Sequence, residues 1–153
     1  KLVDNEALSG KIELYSHNSG RIGVMVEINT GTEFASRSKF FCDFAHEIAL
    51  QVTSASPQYV CDEDIPQQVL DELAQTASEK ARNIGKPEKV IEQIVDGVLE
   101  KYKNKHVLLR QVYIRDESIT IAHLLSQAIS HIGENIIIRR FMRWEICPAT
   151  ENE

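Results

Sequence analysis

Cysteine, histidine and clustered carboxylates are the side chains of this sequence with the reactivity to do chemistry, and their spacing limits what they can do. Cys42 and His46 are four residues apart, a separation that on a helix sets an imidazole beside a thiol and can favour the thiolate. Cys42 also borders Phe41 and Phe44, so the same spacing reads as ordinary packing. His123 and His131 lie two helical turns apart, roughly on one face but too far apart to share a metal easily. His17 stands in a turn-forming segment and reads as solvated. Asp62, Glu63 and Asp64 precede a helical pattern, where capping and dipole complementarity explain them without catalysis. Cys42, Cys61 and Cys147 are odd in number and widely spaced, with no CxxC, which reads as idle or buried thiols in a reducing compartment. An intermolecular disulfide through Cys147 stays open but is not indicated. The sequence contains no GxxxxGK(S/T) loop, no GxGxxG after a strand, no GxSxG and no HExxH. No catalytic residue, cofactor site or metal site follows from these residues. They point to a soluble domain that binds another protein.

The elements that must position such a surface are legible from periodicity. Ile12 and Leu14 share one face of a strand over 11–16, with Lys11, Glu13 and Tyr15 on the other. Ile22, Val24, Val26 and Ile28 share a face over 22–28, and His17-Asn18-Ser19-Gly20 between them has turn chemistry, which predicts a β-hairpin with one face buried. From about Ser36 the period becomes helical. Phe40, Phe44, Ile48 and Val52 form a stripe beside Phe41, Ala45 and Ala49, ended by Ser56-Pro57. A second helix is expected from about Pro66 to Asn83, with Asp64 as N-cap, Ile65, Val69, Leu73 and Ala77 on its apolar side, and Gly85 at its stop. A third opens at Pro87-Glu88 and reaches about Lys103. Residues 107–114 read as short extended or irregular chain, in which Leu109 and Tyr113 are candidates for a partner or dimer surface. Ser118 is the expected cap of a fourth helix that stops at Gly133. Ile136, Ile138, Met142, Trp144 and Ile146 are expected on one face of a closing strand, with Arg140 interrupting it. Val26, Ile28, Phe40, Phe44, Ile48, Val52 and Trp144 are the expected core.

The fold class is therefore α+β: a small antiparallel sheet of about three strands, covered on one face by helices. With 153 residues the chain is expected to form a single domain over 1–153, with 149–153 a frayed tail. A chain of this size buries roughly 70% of its unfolded surface, enough for a core without disulfides. No apolar run approaches the ~20 residues that span a bilayer, and residues 1–10 carry no signal-peptide core. No membrane association is expected. The net charge of −6 argues against direct nucleic-acid binding, which needs an electropositive face. The tight basic cluster Arg139, Arg140 and Arg143 reads as a holder of salt bridges or a protein partner.

One segment carries more than periodicity. GRIGVMVEINTGTEFASRSKF, from Gly20 to Phe40, resembles the signature of the elongation factor Ts family, in which a strand ending in Glu-x-Asn leads into Thr-Asp-Phe-Val-Ala-Arg. Here the strand end is Val26-Glu27-Ile28-Asn29 and the motif is Thr32-Glu33-Phe34-Ala35-Ser36-Arg37. Ile48 to Val52 with Ala55 to Val60, then Gly85 to Val95, then Gly133-Glu134-Asn135-Ile136 with Arg139-Arg140-Phe141, are similar to further family segments in the same order. The resemblance covers nearly the whole chain.

What it implies is a guanine-nucleotide exchange factor, with no chemical step of its own, acting on translation elongation factor Tu in its GDP-bound and nucleotide-free forms. Phe34 would be a wedge entering the partner near its magnesium and phosphate site, Glu33 the accompanying acid, and Thr32, Ala35 and Arg37 the rest of the contact. Pattern alone reads Phe34 instead as the first core residue of the helix that follows. Two positions depart from the family: Glu33 stands where an Asp is usual and Ala35 where a Val is usual. The family's N-terminal helical module, a second copy of the core and the coiled-coil insertion of long forms are expected to lie outside this sequence. A single core copy suggests a homodimer, and the family suggests a cytoplasmic protein, or one of an organelle matrix or stroma. The alternative is a module that binds or stabilises elongation factor Tu without exchanging its nucleotide.

Overall fold

The structure is a computed structural model and describes residues 9–147, so the expected tail at 149–153 lies outside the described residues. The described chain forms two compact units. One is drawn from residues up to Ser56 and from Val112 onward, the other is Pro57–Gln111.

The first unit is built on an antiparallel sheet of β1 (Ser9–His17), β2 (Ile22–Thr30) and β5 (Ile136–Glu145), in the order β1-β2-β5. Asn18 and Ser19 both take left-handed backbone, which supplies the twist a tight hairpin connection needs. Val24, Val26 and Ile28 of β2 are buried, as the alternation predicts. They meet α2 (Lys39–Ala55), whose buried stripe is Phe41, Phe44, Ala45, Ile48, Ala49 and Val52. A short hairpin, β3 (Val112–Tyr113) with β4 (Asp116–Thr120), leads into α5 (Ile121–Ile132). Buried Gln51 fastens that hairpin to α2, donating to the Val112 carbonyl at 3.0 Å and accepting from the Ile114 N–H at 2.9 Å. Glu47 of α2 holds the Tyr113 hydroxyl at 2.5 Å and Arg115 at 2.6 Å. Burial, with the Glu47 carboxylate beside it, pushes the Tyr113 phenol up to about 12. Tyr113, expected as partner or dimer surface, thus holds the β3–β4 hairpin to α2.

Four expectations need correction. Phe40 is 39% exposed and stacks on His131, while Phe41 takes the core position. Ser38 starts a new helix there, accepting from the Phe41 N–H, and the rest of the expected stripe, from Phe44 to Val52, is buried as predicted. Trp144 is 73% exposed. The pairing of β2 with β5 shifts between Glu27 and Ile28, so Glu27 faces Arg140 while Ile28 faces Ile138 and Arg139 is the extra residue. A bulge of one residue reverses the alternation beyond it. Ile136 and Ile138 therefore face the helices, and Arg140, Met142 and Trp144 face the other way. Ser118 lies in β4; the cap of α5 is Thr120, which accepts from the His123 N–H. Asp64 does not cap the next helix. Its carboxylate accepts from the Cys61 N–H at 3.3 Å, and Pro66 occupies the cap position.

Ile12 and Leu14 lie across from Glu27 and Met25, on the side away from the buried Val24–Val26–Ile28 face. The sheet thus has two apolar faces. α2 covers one. The other presents Ile12, Leu14, Met25, Met142 and Trp144, all exposed.

The second unit is a helical hairpin, α3 (Gln67–Asn83) and α4 (Glu88–His106). Gly85, at φ 79°, lets the chain turn between them: its N–H reaches the Arg82 carbonyl and the Lys86 N–H the Ala81 carbonyl, the paired bonds of a glycine-closed helix end. Ala77, Ala81 and Ile91 are buried. Arg110 grips Asp62 through two bonds, at 2.7 and 2.6 Å, and reaches Glu100 at 2.9 Å. The Arg110 guanidinium holds the Asp62 carboxyl below the usual carboxylate range.

Candidate functional site

The segment between β2 and α2 is a single turn of helix, α1 (Glu33–Arg37). Five residues cannot hold a helix by propensity alone, so its shape comes from side chains that bond its ends. Thr32 caps the start: its hydroxyl accepts from the Ala35 N–H at 3.2 Å. Thr30, fully buried at the end of β2, donates its hydroxyl to the Thr32 carbonyl at 2.9 Å. Ser36 donates to the Glu33 carbonyl at 2.9 Å, and Ser38 closes the turn by donating to the Ala35 carbonyl at 2.8 Å. Ser38 also caps α2, so one serine ends the first helix and begins the second.

This capping fixes which side chains point out. Ala35 and Ser36 are buried. Phe34 is 89% exposed, so it is not the first core residue of the following helix. Full burial of a phenylalanine is worth about 1.5–3 kcal/mol, and this fold leaves that unused at Phe34. Glu33 and Arg37 flank it and meet at 3.4 Å, both largely exposed; such a pair contributes at most about 1 kcal/mol. Thr32, Glu33, Phe34, Ala35 and Arg37 are thus one continuous turn, in which Ala35 is the inward-facing member.

The sequence reading missed a contact that crosses 102 residues: the Thr32 hydroxyl donates to the Glu134 carboxylate at 2.9 Å. The Phe40 ring stacks on His131 at 3.9 Å between ring centres, so α1 and the start of α2 are tied to the end of α5 by two contacts. The run Gly133-Glu134-Asn135-Ile136 stands out in the sequence, but its partner across the fold does not.

The other candidates are engaged elsewhere. Cys42 donates its thiol to the Ser36 carbonyl at 3.8 Å, and His46 faces Glu13 at 3.5 Å and the edge of Tyr15. Burial and the neighbouring Glu63 and Asp64 push the Cys61 thiol up to about 12, far from a thiolate at neutral pH. Arg139 donates to Asn29 at 2.5 Å, Arg140 to Glu27 at 2.8 Å, and Arg143 to the Thr53 carbonyl and Glu145. Arg139 and Arg140 therefore tie β5 to β2, and Arg143 ties β5 to α2. No described helix is long and apolar enough to cross a membrane.

A helix-covered antiparallel sheet with an exposed aromatic on a capped turn defines the class: a small α+β domain. A family model for elongation factor TS matches residues 2–129. The chain is 41% identical over 146 residues to elongation factor Ts of Coprothermobacter proteolyticus, covering 95% of this chain and 74% of that protein. It is 44% identical over 145 residues to elongation factor Ts of Caldanaerobacter subterraneus subsp. tengcongensis, covering 95% and 72%. To the same factor of Carboxydothermus hydrogenoformans it is 45% identical over 140 residues, covering 92% and 64%. The chain belongs to the elongation factor Ts family.

Proposed function

We propose that this chain is a guanine-nucleotide exchange factor for elongation factor Tu, with Phe34 as the wedge and Glu33 as the accompanying acid. The observation that carries this reading is the exposure of Phe34 on a turn whose ends are bonded by four side chains, Thr30, Thr32, Ser36 and Ser38. An aromatic held outward in a fixed geometry loses little entropy on entering a pocket, so most of its apolar contact appears as binding energy. Magnesium tolerates little displacement of its ligands, and nucleotide phosphates rest on loop N–H groups at a helix N-terminus. A side chain that forces that region apart weakens both. A factor that binds the nucleotide-free partner better than the GDP-bound one must weaken GDP by the same factor.

The open sheet face supports a homodimer. Ile12, Leu14, Met25, Met142 and Trp144 form an apolar surface of the kind that marks an interface, and a second copy would present the same surface to it. Arg140 and Glu27, paired at 2.8 Å, border that face.

One observation favours the passive alternative. Glu33 is a methylene longer than the family's Asp and pairs with Arg37 on its own turn, which draws its carboxylate along the helix. The two readings separate in one experiment: the dissociation rate of a fluorescent GDP from elongation factor Tu at rising concentrations of this protein. An exchange factor raises the rate to a plateau, whereas a passive module binds and leaves the rate at its intrinsic value.

A further inference from the structure

The turn that carries Phe34 is completed by a residue outside it. The Thr32 hydroxyl has one proton, and that proton goes to Glu134 at 2.9 Å. Its lone pair is thereby aimed at the Ala35 N–H, 3.2 Å away, and donating to a carboxylate makes a hydroxyl a better acceptor. Glu134 is itself held by its backbone. It follows Gly133, the left-handed cap of α5 (φ 79°), whose N–H bonds the Ile129 carbonyl at 2.8 Å. Two residues later Ile136 pairs with Thr30 at the end of the β2–β5 ladder. Thr30 in turn donates to the Thr32 carbonyl. The end of α5, the start of β5 and the end of β2 thus converge on the cap of α1. The Phe40–His131 stack fastens the other side of the same junction.

We propose that Glu134 is a positioning residue for the exchange turn: through the Thr32 hydroxyl it holds α1 in the conformation that presents Phe34. The inference rests on the reading of Phe34 as the wedge. Without the Glu134 carboxylate the Thr32 hydroxyl turns freely, the cap weakens, and the five-residue helix populates other conformations. A ligand that requires one of several conformations binds more weakly in proportion to the population of that one. Docking restores the turn, so the maximal rate is retained.

The test measures fluorescent GDP release from elongation factor Tu as a function of the concentration of the intact chain and its variants, and amide hydrogen exchange at Ala35 in the free protein. Glu134→Ala is expected to raise the half-saturating concentration about three- to tenfold, the range of one ordinary solvent-exposed hydrogen bond, with the plateau rate unchanged. Glu134→Gln, which keeps an acceptor oxygen, is expected to recover most of the loss. Thr32→Val combined with Glu134→Ala is expected to be no worse than Thr32→Val alone, because both break one linkage. The Ala35 amide is expected to exchange faster in Glu134→Ala. Additive losses in the double variant overturn the inference, since Glu134 then acts on the partner directly. An unchanged Ala35 amide overturns it with the exchange reading intact. No acceleration of GDP release by the wild type overturns the exchange reading, and the inference with it.

Discussion

Two of the places where the described residues expose apolar side chains differ in kind. At α1 a single phenylalanine stands out from a turn whose backbone ends are bonded by neighbouring side chains. On the open side of the sheet, five apolar residues from three strands lie together, with Trp144 and Leu14 the most exposed. An isolated aromatic on a fixed turn fits a pocket, can enter and leave, and costs little solubility. A broad face of Ile12, Leu14, Met25, Met142 and Trp144 gains only from an equally broad cover. On the proposed reading the first makes transient contact with a partner and the second lasting contact with another copy. A protein that is to act repeatedly on many partner molecules while keeping one assembly needs both.

The sharpest break of that comparison sets two phenylalanines seven residues apart against each other. Phe41→Ala empties a fully buried site and is expected to cost about 3–5 kcal/mol of stability, read by denaturant unfolding. Phe34→Ala is expected to stay within about 0.5 kcal/mol of the wild type in the same assay; a large loss there would place Phe34 in the core after all. Next in size is Trp144→Lys. Placing a charge on the open face, where Trp144 is its most exposed member, is expected to raise a dimer dissociation constant at least about 30-fold, as for the loss of an interface hot spot, measured by sedimentation. GDP release per turn should persist, because α1 lies elsewhere. An unchanged oligomeric state removes the role given to that face.

Acid gives a smaller effect on the same face. Hydrogen bonds from Asn29 and then Arg140 hold the Glu27 carboxyl below its ordinary value. A depressed carboxyl contributes stability above its unfolded value, near 4.3, and loses it as pH falls through the folded value. Melting temperature should therefore decline below about pH 4.5, and the decline should be shallower in Glu27→Gln. The smallest change expected is from Glu33→Asp. Shortening the acid is expected to raise the exchange rate by no more than about tenfold, one hydrogen bond's worth, and a fall in rate would mean the longer side chain is matched to its contact.

Much of this was legible in the sequence because it depends on local period and local caps. The hairpin, the helices of residues 67–83 and 88–106, the stop at Gly133 and the closing strand all follow from patterns within a dozen residues. What escaped depends on a single residue of offset or on contacts across the chain. The bulge at Arg139 reverses which side of the sheet Trp144 occupies, and no composition signal distinguishes a bulged strand from a regular one. Ser38 restarts the helix and exchanges Phe40 for Phe41 in the core. Asp64 and Ser118 are good caps by type, yet Pro66 and Thr120 hold those positions because the preceding chain turns a little later or extends a little further. At the site, the resemblance marked Thr32 to Arg37 as one motif, but the separate turn of helix over Glu33–Arg37 and the outward or inward direction of its side chains came only with the capping network. Glu134 stood out as part of a family segment, but its bond to Thr32 was not legible because the two are 102 residues apart.

The central claim is that Phe34 drives nucleotide release without supporting the fold. The direct measurement is the plateau rate of fluorescent GDP dissociation from elongation factor Tu at saturating wild type and at saturating Phe34→Ala, with both proteins shown folded by circular dichroism and melting temperature. The account predicts that the variant folds as the wild type does and loses most of the acceleration, on the order of tenfold or more for about 1.5–3 kcal/mol of wedge contact. A folded variant that accelerates release as well as the wild type would contradict it.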